Sequence, residues 1–217
     1  RLGRAAVLVI IVRAAKAPRR WRPLNSHVRH QNMNSCCPRT LVVLTGPVGV
    51  GKSTTAGATA RILRESAVAV ACIDLDQVYC MIRQRDGFDD QGTWLLAREA
   101  TAALAEHFFG SVASVVIVEG GFLTKAEQGE LLEALKSEPR IEIITLHASF
   151  EAVYARVMAD TDPGRVASKV PTFLKQVYVE YEAALPYLRE ATRFIDVENL
   201  DVEHVAMQVA EMLKCGN

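Results

Sequence analysis

The chain has few cysteines, no long apolar run, no internal repeat, and no acidic side chain among its first 39 residues. Its five cysteines (Cys36, Cys37, Cys72, Cys80, Cys215) are an odd number without a C-x-x-C pair. That excludes a disulfide-stapled scaffold and points to reduced thiols in a cytosol-like compartment. His27 and His30 form an H-x-x-H, but with no accompanying set of Cys or His they read as polar residues rather than a zinc site. The apolar run at 5–12 has eight residues, far short of a bilayer-spanning helix, so no membrane span is expected. Half of the residues are apolar and 23% are charged, which excludes wholesale disorder.

The missing acids matter more than the net charge of zero. Nine of the 25 Lys and Arg residues, and none of the 25 Asp and Glu residues, precede Thr40. A tail of charge +9 therefore joins a body of charge −9. The body has no broad basic face for nucleic acid, whereas the tail alone could bind it. Residues 1–39 are expected to be a basic, poorly structured extension. Met33 stands where a compact domain would naturally start. Targeting of an otherwise cytoplasmic protein to an organelle by residues 1–32 is the alternative.

From residue 40 to 217 the pattern is that of one domain. Short apolar runs at 41–45, 67–73, 114–118, 141–146 and 193–197 read as buried strands. Helical spacing fills 52–65, 93–109, 125–135, 150–158, 173–187 (interrupted at Pro186) and 202–213. Strands alternating with helices imply an α/β fold, a doubly wound, three-layer sandwich around a five-stranded parallel sheet.

Gly46-Pro47-Val48-Gly49-Val50-Gly51-Lys52-Ser53 matches G-x-x-x-x-G-K-[ST] in full, between a strand and a helix as the motif requires. Glycines let successive backbone N–H groups turn toward a phosphate, and the helix start adds free N–H groups and its dipole. Lys52 is expected at the β- and γ-phosphates of ATP and the Ser53 hydroxyl on Mg²⁺, with Thr54 and Thr55 at the α-phosphate.

With this loop, the sequence resembles the P-loop small-molecule kinases (shikimate kinase, gluconate kinase, adenylylsulfate kinase and chloramphenicol phosphotransferase) over about residues 41–214. The resemblance implies the sheet order 2-3-1-4-5 and a lid between the fourth and fifth strands. Asp74-Leu75-Asp76 ends the second strand, and an i, i+2 spacing in extended chain puts both carboxylates on one side. It looks like the D-x-D of shikimate kinase. That likeness implies that Asp74 supports the Mg²⁺ shell and that Asp76 orients the acceptor hydroxyl as base. The bland alternative is that one acid only caps the following helix. Glu119 resembles a Walker-B acid with Glu in place of Asp, acting on Mg²⁺ through water. Gly120-Gly121 would let the backbone approach the acceptor, unless they form only a tight turn. Shikimate kinases show three glycines there, whereas Phe122 follows the pair here.

The lid candidate runs from Arg156 to Ser168, with Arg165 first and Arg156 second as the cation folded over the transferring phosphate. Arg83, Arg85 and Arg98 fall where such kinases place acceptor-binding helices and would grip an anionic acceptor, unless Arg83 and Arg85 with Asp86, Asp89 and Asp90 form a self-satisfied surface. Phe88 and Trp94 would line a pocket for a ring if they are not core, and Asn199 falls where related kinases meet adenine. The expected activity is transfer of the γ-phosphate of ATP to a hydroxyl of a small-molecule acceptor, by a monomer or homodimer. A nucleoside monophosphate kinase is the first alternative, although such enzymes carry a more arginine-rich lid. A non-catalytic nucleotide-binding protein is the second, and it would have no need of Asp76. A G protein is excluded, because no N-K-x-D motif occurs.

Overall fold

β1 (Thr40–Thr45) is buried along its whole length and is the middle strand of a five-stranded sheet. The computed structural model describes residues 38–82, 91–161 and 168–213. Elements follow in the order α1 (Lys52–Glu65), β2 (Val70–Asp74), α2 (Leu75–Ile82), α3 (Gln91–Ser111), β3 (Val115–Glu119) and α4 (Lys125–Glu133). β4 (Arg140–His147), α5 (Phe150–Ala159), α6 (Pro171–Ala191), β5 (Arg193–Asp196) and α7 (Val202–Leu213) complete the order. The five strands form one parallel sheet in the order β2-β3-β1-β4-β5, as the resemblance implied.

The side-chain period of two along β1 and β3 divides the core into two. Val42 and Leu44, with Val115 and Ile117, pack on one face under α1, α5, α6 and α7. Leu41 and Val43, with Val116 and Val118, pack on the other face under α2, α3 and α4. Because both faces are covered, these strands read as continuous apolar runs rather than alternating ones. α4 starts at a capping box, in which Thr124 accepts from the Glu127 N–H while the Glu127 side chain takes the Thr124 N–H. Among the described residues no helix is long and apolar enough to cross a membrane.

Two expectations are corrected. β2 begins at Val70, not Ala67. Ala67, with φ at 61°, and Val68 donate to the Arg64 and Leu63 carbonyls, so 67–69 closes α1 in the left-handed turn that ends many helices. Helix α6 is not interrupted at Pro186 but runs through it to Ala191. The missing N–H costs about 3 kcal/mol in a helix interior. Tyr181 and Leu188, fully buried on either side of the proline, anchor both halves to the same core.

Candidate active site

The loop from Gly46 to Gly51 joins β1 to α1, and its three glycines all have positive φ. At Gly49 (φ 82°) a Cβ would stand 2.3 Å from Val157 Cγ2, so the loop is pressed onto α5. At Gly51 (φ 105°) nothing lies within 4 Å of that position. Glycine there serves the backbone conformation and leaves the hollow in front of α1 open. Gly51 is also the N-cap of α1 and has no side chain to close the helix, whose first-turn N–H groups are left for a ligand. Val50 is buried and Val48 is packed against the core, so their backbones alone can meet a phosphate. Lys52 Nζ donates to the carbonyls of Gly46 and Pro47, both at 3.1 Å, which holds the ammonium across the loop.

The strand register brings the acids beside this lysine. Asp74 ends β2 directly opposite Glu119, which ends β3 opposite Leu44 of β1. Glu119 is buried, with the Ser53 side chain near enough to favour its charged form. Its carboxyl is raised above the usual range, chiefly by burial and further by Asp74 and Asp76; Ser53 and Lys52 act in the opposite direction. Asp76 opens to solvent, yet the surrounding protein removes enough water that desolvation is the main influence raising its carboxyl. Lys52 opposes that rise and Asp74 adds to it.

Asp74 and Asp76 do not share one side of an extended strand as expected, because β2 stops at Asp74 and α2 starts at Leu75. Asp74 Oδ1 accepts from the N–H groups of Asp76 (2.8 Å) and Gln77 (3.2 Å), so Asp74 caps α2. The cap brings Asp76 round in the first helical turn, within electrostatic reach of Lys52.

The glycine pair after β3 divides into two roles. A Cβ on Gly120 would meet Leu75 Cβ at 2.7 Å, so this glycine is there for packing. Gly121 faces open space with nothing within 4 Å, and it is the one a ligand could approach. Phe122 is fully buried, and its N–H donates to Thr45 Oγ1 at 3.1 Å. Its carbonyl accepts from Gln128, which accepts in turn from the Tyr187 hydroxyl at 2.7 Å. The backbone at Gly121 is thereby clamped from behind.

Of the remaining candidates, Arg98 is not open to a cleft. It is 3% exposed, and its Nε is ion-paired with Glu130 of α4. Trp94 is part of the core on the α2–α4 side, stacked on buried Tyr79 with ring centroids 3.9 Å apart. Arg83, Arg85, Phe88 and Arg165 lie outside the described residues. Arg156, on α5, is half-buried. Its guanidinium donates to the carbonyls of Val197 (2.8 Å), Glu198 (3.1 Å) and Val50 (3.4 Å), tying α5 to the loop after β5 and to the P-loop.

There Arg156 lines a cavity of about 380 Å³ with Gly51, Thr54, Val197, Leu200 and Asp201. Asn199 lies in the exposed turn between Val197 and Leu200. Val197, Leu200 and Asp201 were not legible as site residues, because no local pattern marks a loop brought to the P-loop by strand order.

No protein-family model and no curated protein matches the chain. Solved structures do. A gluconokinase from Sinorhizobium meliloti 1021 is 19% identical, with a TM-score of 0.55 over 82% of this chain and 93% of that one. A shikimate kinase from Bacteroides thetaiotaomicron is 18% identical, with a TM-score of 0.56 over 80% of this chain and 98% of that one. The tunicamycin resistance protein of Deinococcus radiodurans is 23% identical, with a TM-score of 0.56 over 83% of this chain and 97% of that one. The fold is that of the P-loop small-molecule kinases.

The residues set in this P-loop kinase fold are compatible with a magnesium nucleotide. The hollow before α1 is one that a Cβ at Gly51 would narrow, the first-turn N–H groups converge on it, and Lys52 supplies a cation. Among the described residues no three His, Cys, Asp or Glu side chains are arranged to hold a metal ion by themselves. Magnesium commonly keeps several waters and binds through few protein ligands plus phosphate oxygens. Ser53, with Glu119 near it and Asp74 opposite Glu119 in the sheet, is a donor set of that kind.

Proposed function

We propose that the protein is an ATP-dependent phosphotransferase that moves the γ-phosphate to a hydroxyl of a small-molecule acceptor. The observation that carries this reading is Asp76: a carboxylate open to solvent, in the first turn of α2, within electrostatic reach of the P-loop lysine. A nucleotide-binding switch has no use for an acid at that point, whereas a kinase needs a base facing the acceptor. A carboxyl raised by desolvation is a better proton acceptor than an ordinary one.

The cradle of Gly46, Gly49 and Gly51 holds the phosphates through backbone N–H groups, and Lys52 pairs with the charge that shifts during transfer. Mg²⁺, held by Ser53 with Glu119 and Asp74 in support, would neutralise charge on the phosphate oxygens. Arg156 offers the plane of its guanidinium to the base in the cavity it lines. The acceptor lies against Gly121, and its hydroxyl gives its proton to Asp76 as the oxygen–phosphorus bond forms and ADP departs. Arg165 remains the proposed cation over the transferring group.

The test is ATP consumption by the purified chain against sugars, sugar acids, shikimate, aminocyclitols and nucleoside monophosphates. One class should raise turnover well above background hydrolysis. If nucleotide binds and no acceptor raises turnover, the protein is a non-catalytic nucleotide-binding member of the fold.

A further inference from the structure

We infer that Gln128 and Tyr187 are positioning residues for the phosphate acceptor, holding the turn after β3 so that the Gly121 N–H is kept in place for it. The inference rests on the reading that the acceptor lies against Gly121 beside Asp76. That turn lies directly against the start of α2. A Cβ on Gly120 would stand 2.7 Å from Leu75 Cβ, and Asp76 is the next residue of α2. The strand ends that lead into the two segments, Glu119 and Asp74, are register partners in the sheet.

The N–H groups of the turn are nearly all taken within the protein. Gly120 donates to the Leu44 carbonyl at 3.2 Å and Phe122 to Thr45 Oγ1 at 3.1 Å, while Leu123 and Thr124 both donate to Glu127 at 2.8 Å. Among the described residues the Gly121 N–H has no partner, and Gly121 is exposed. One donor is thus left for an oxygen of the acceptor, on a peptide flanked by two anchored residues.

The anchor on the Phe122 side is a relay. The Phe122 carbonyl can only accept, so the Gln128 amide turns its Nε2 to it, at 3.1 Å. The Gln128 Oε1 then faces Tyr187, whose hydroxyl donates at 2.7 Å. Tyr187 therefore selects which end of the amide meets the turn, and it does so from α6, 59 residues further along the chain. Gln128 is 5% exposed. An apolar side chain would fill its place without desolvation, but would leave the Phe122 carbonyl without a donor. The relay thus acts on the acceptor through the turn after β3, and no member of it lines the nucleotide cavity beside Gly51 and Arg156.

The experiment uses the full chain with ATP and inositol, gluconate, shikimate or AMP, taking the compound that the wild type consumes ATP with fastest. Tyr187→Phe, which removes one hydroxyl and keeps the ring, should raise the KM for that compound about fivefold, the scale of one hydrogen bond. Gln128→Met, which removes both bonds, should raise it about tenfold or more. The KM for ATP should hold in both variants, and kcat should fall less than the acceptor KM rises. A lower melting temperature with unmoved kinetic constants makes the relay merely structural and overturns the inference. So does an equal loss in both KM values, which is general damage. In either case wild-type turnover leaves the kinase reading standing. If no compound raises wild-type ATP consumption, the kinase reading fails and this inference fails with it. Y187F decides the question even if Q128M does not fold.

Discussion

Gly49 of the P-loop lies so close to Val157 of α5 that a single methyl at its Cα would come within 2.3 Å of the valine Cγ2. The loop's shape is thus held by a helix more than a hundred residues further along the chain. Gly49→Ala adds both this overlap and a side chain at φ 82°. It should lower stability by about 1–3 kcal/mol and weaken nucleotide binding. Thermal melts with and without ATP check both effects, and an unchanged melt would mean that the contact yields freely.

The adjacent glycines after β3 should respond differently. Gly120→Ala meets Leu75 in the core and should lower the melting temperature by several degrees, the shift expected for about 1–2 kcal/mol in a domain of this size. Gly121→Ala meets open space and should melt as the wild type does. Its KM for the acceptor should rise severalfold while its KM for ATP holds. Equal behaviour of the two variants would remove Gly121 from the acceptor surface.

Asp76 and Glu119 are both raised above the ordinary carboxylate range, in each case chiefly because the surrounding protein removes water from the carboxyl. A carboxyl with a higher pKa in the folded than in the unfolded state binds its proton more tightly when native. The stability it confers is complete below the unfolded value and is lost as pH rises through the folded one. In chelator-treated protein these two groups therefore favour the fold in mildly acidic buffer and oppose it near neutrality. Asp76→Asn should raise the neutral-pH melting point while cutting turnover by about 10²- to 10⁴-fold. A variant that melts lower, or that keeps full turnover, contradicts the assignment.

Arg156 is bonded to three carbonyls and borders the cavity beside the P-loop. Arg156→Ala should raise the KM for ATP about tenfold, equivalent to about 1.4 kcal/mol of binding, with a smaller change in kcat. Steady-state kinetics at saturating acceptor separate the two. A collapse of kcat at unchanged KM would instead make Arg156 a group that acts on the transferring phosphate.

The phosphate loop was fully legible in the sequence because its chemistry is backbone chemistry, confined to eight successive residues between a strand and a helix. The bounds of α1 and α7 were equally legible from helical spacing. Other readings failed where a distant contact overruled a local one. The apolar run at 67–69 reads as strand until α1 needs those N–H groups to close its end. Pro186 reads as a break until the core holds the helix on both sides of it.

The sequence by itself determined the alternation of strands and helices, the cradle from Gly46 to Ser53, and which acids stand at strand ends, since all of these are set by neighbours in the chain. Only the tertiary structure decided that Asp74 is a cap and Asp76 an acid within electrostatic reach of Lys52. The same holds for the burial of Arg98 against Glu130 and for the cavity that Arg156 completes with the loop after β5. The physical reason is common to these cases. A parallel sheet joins strands through long crossovers, so the residues that meet at its carboxyl edge come from segments whose local patterns carry no sign of one another.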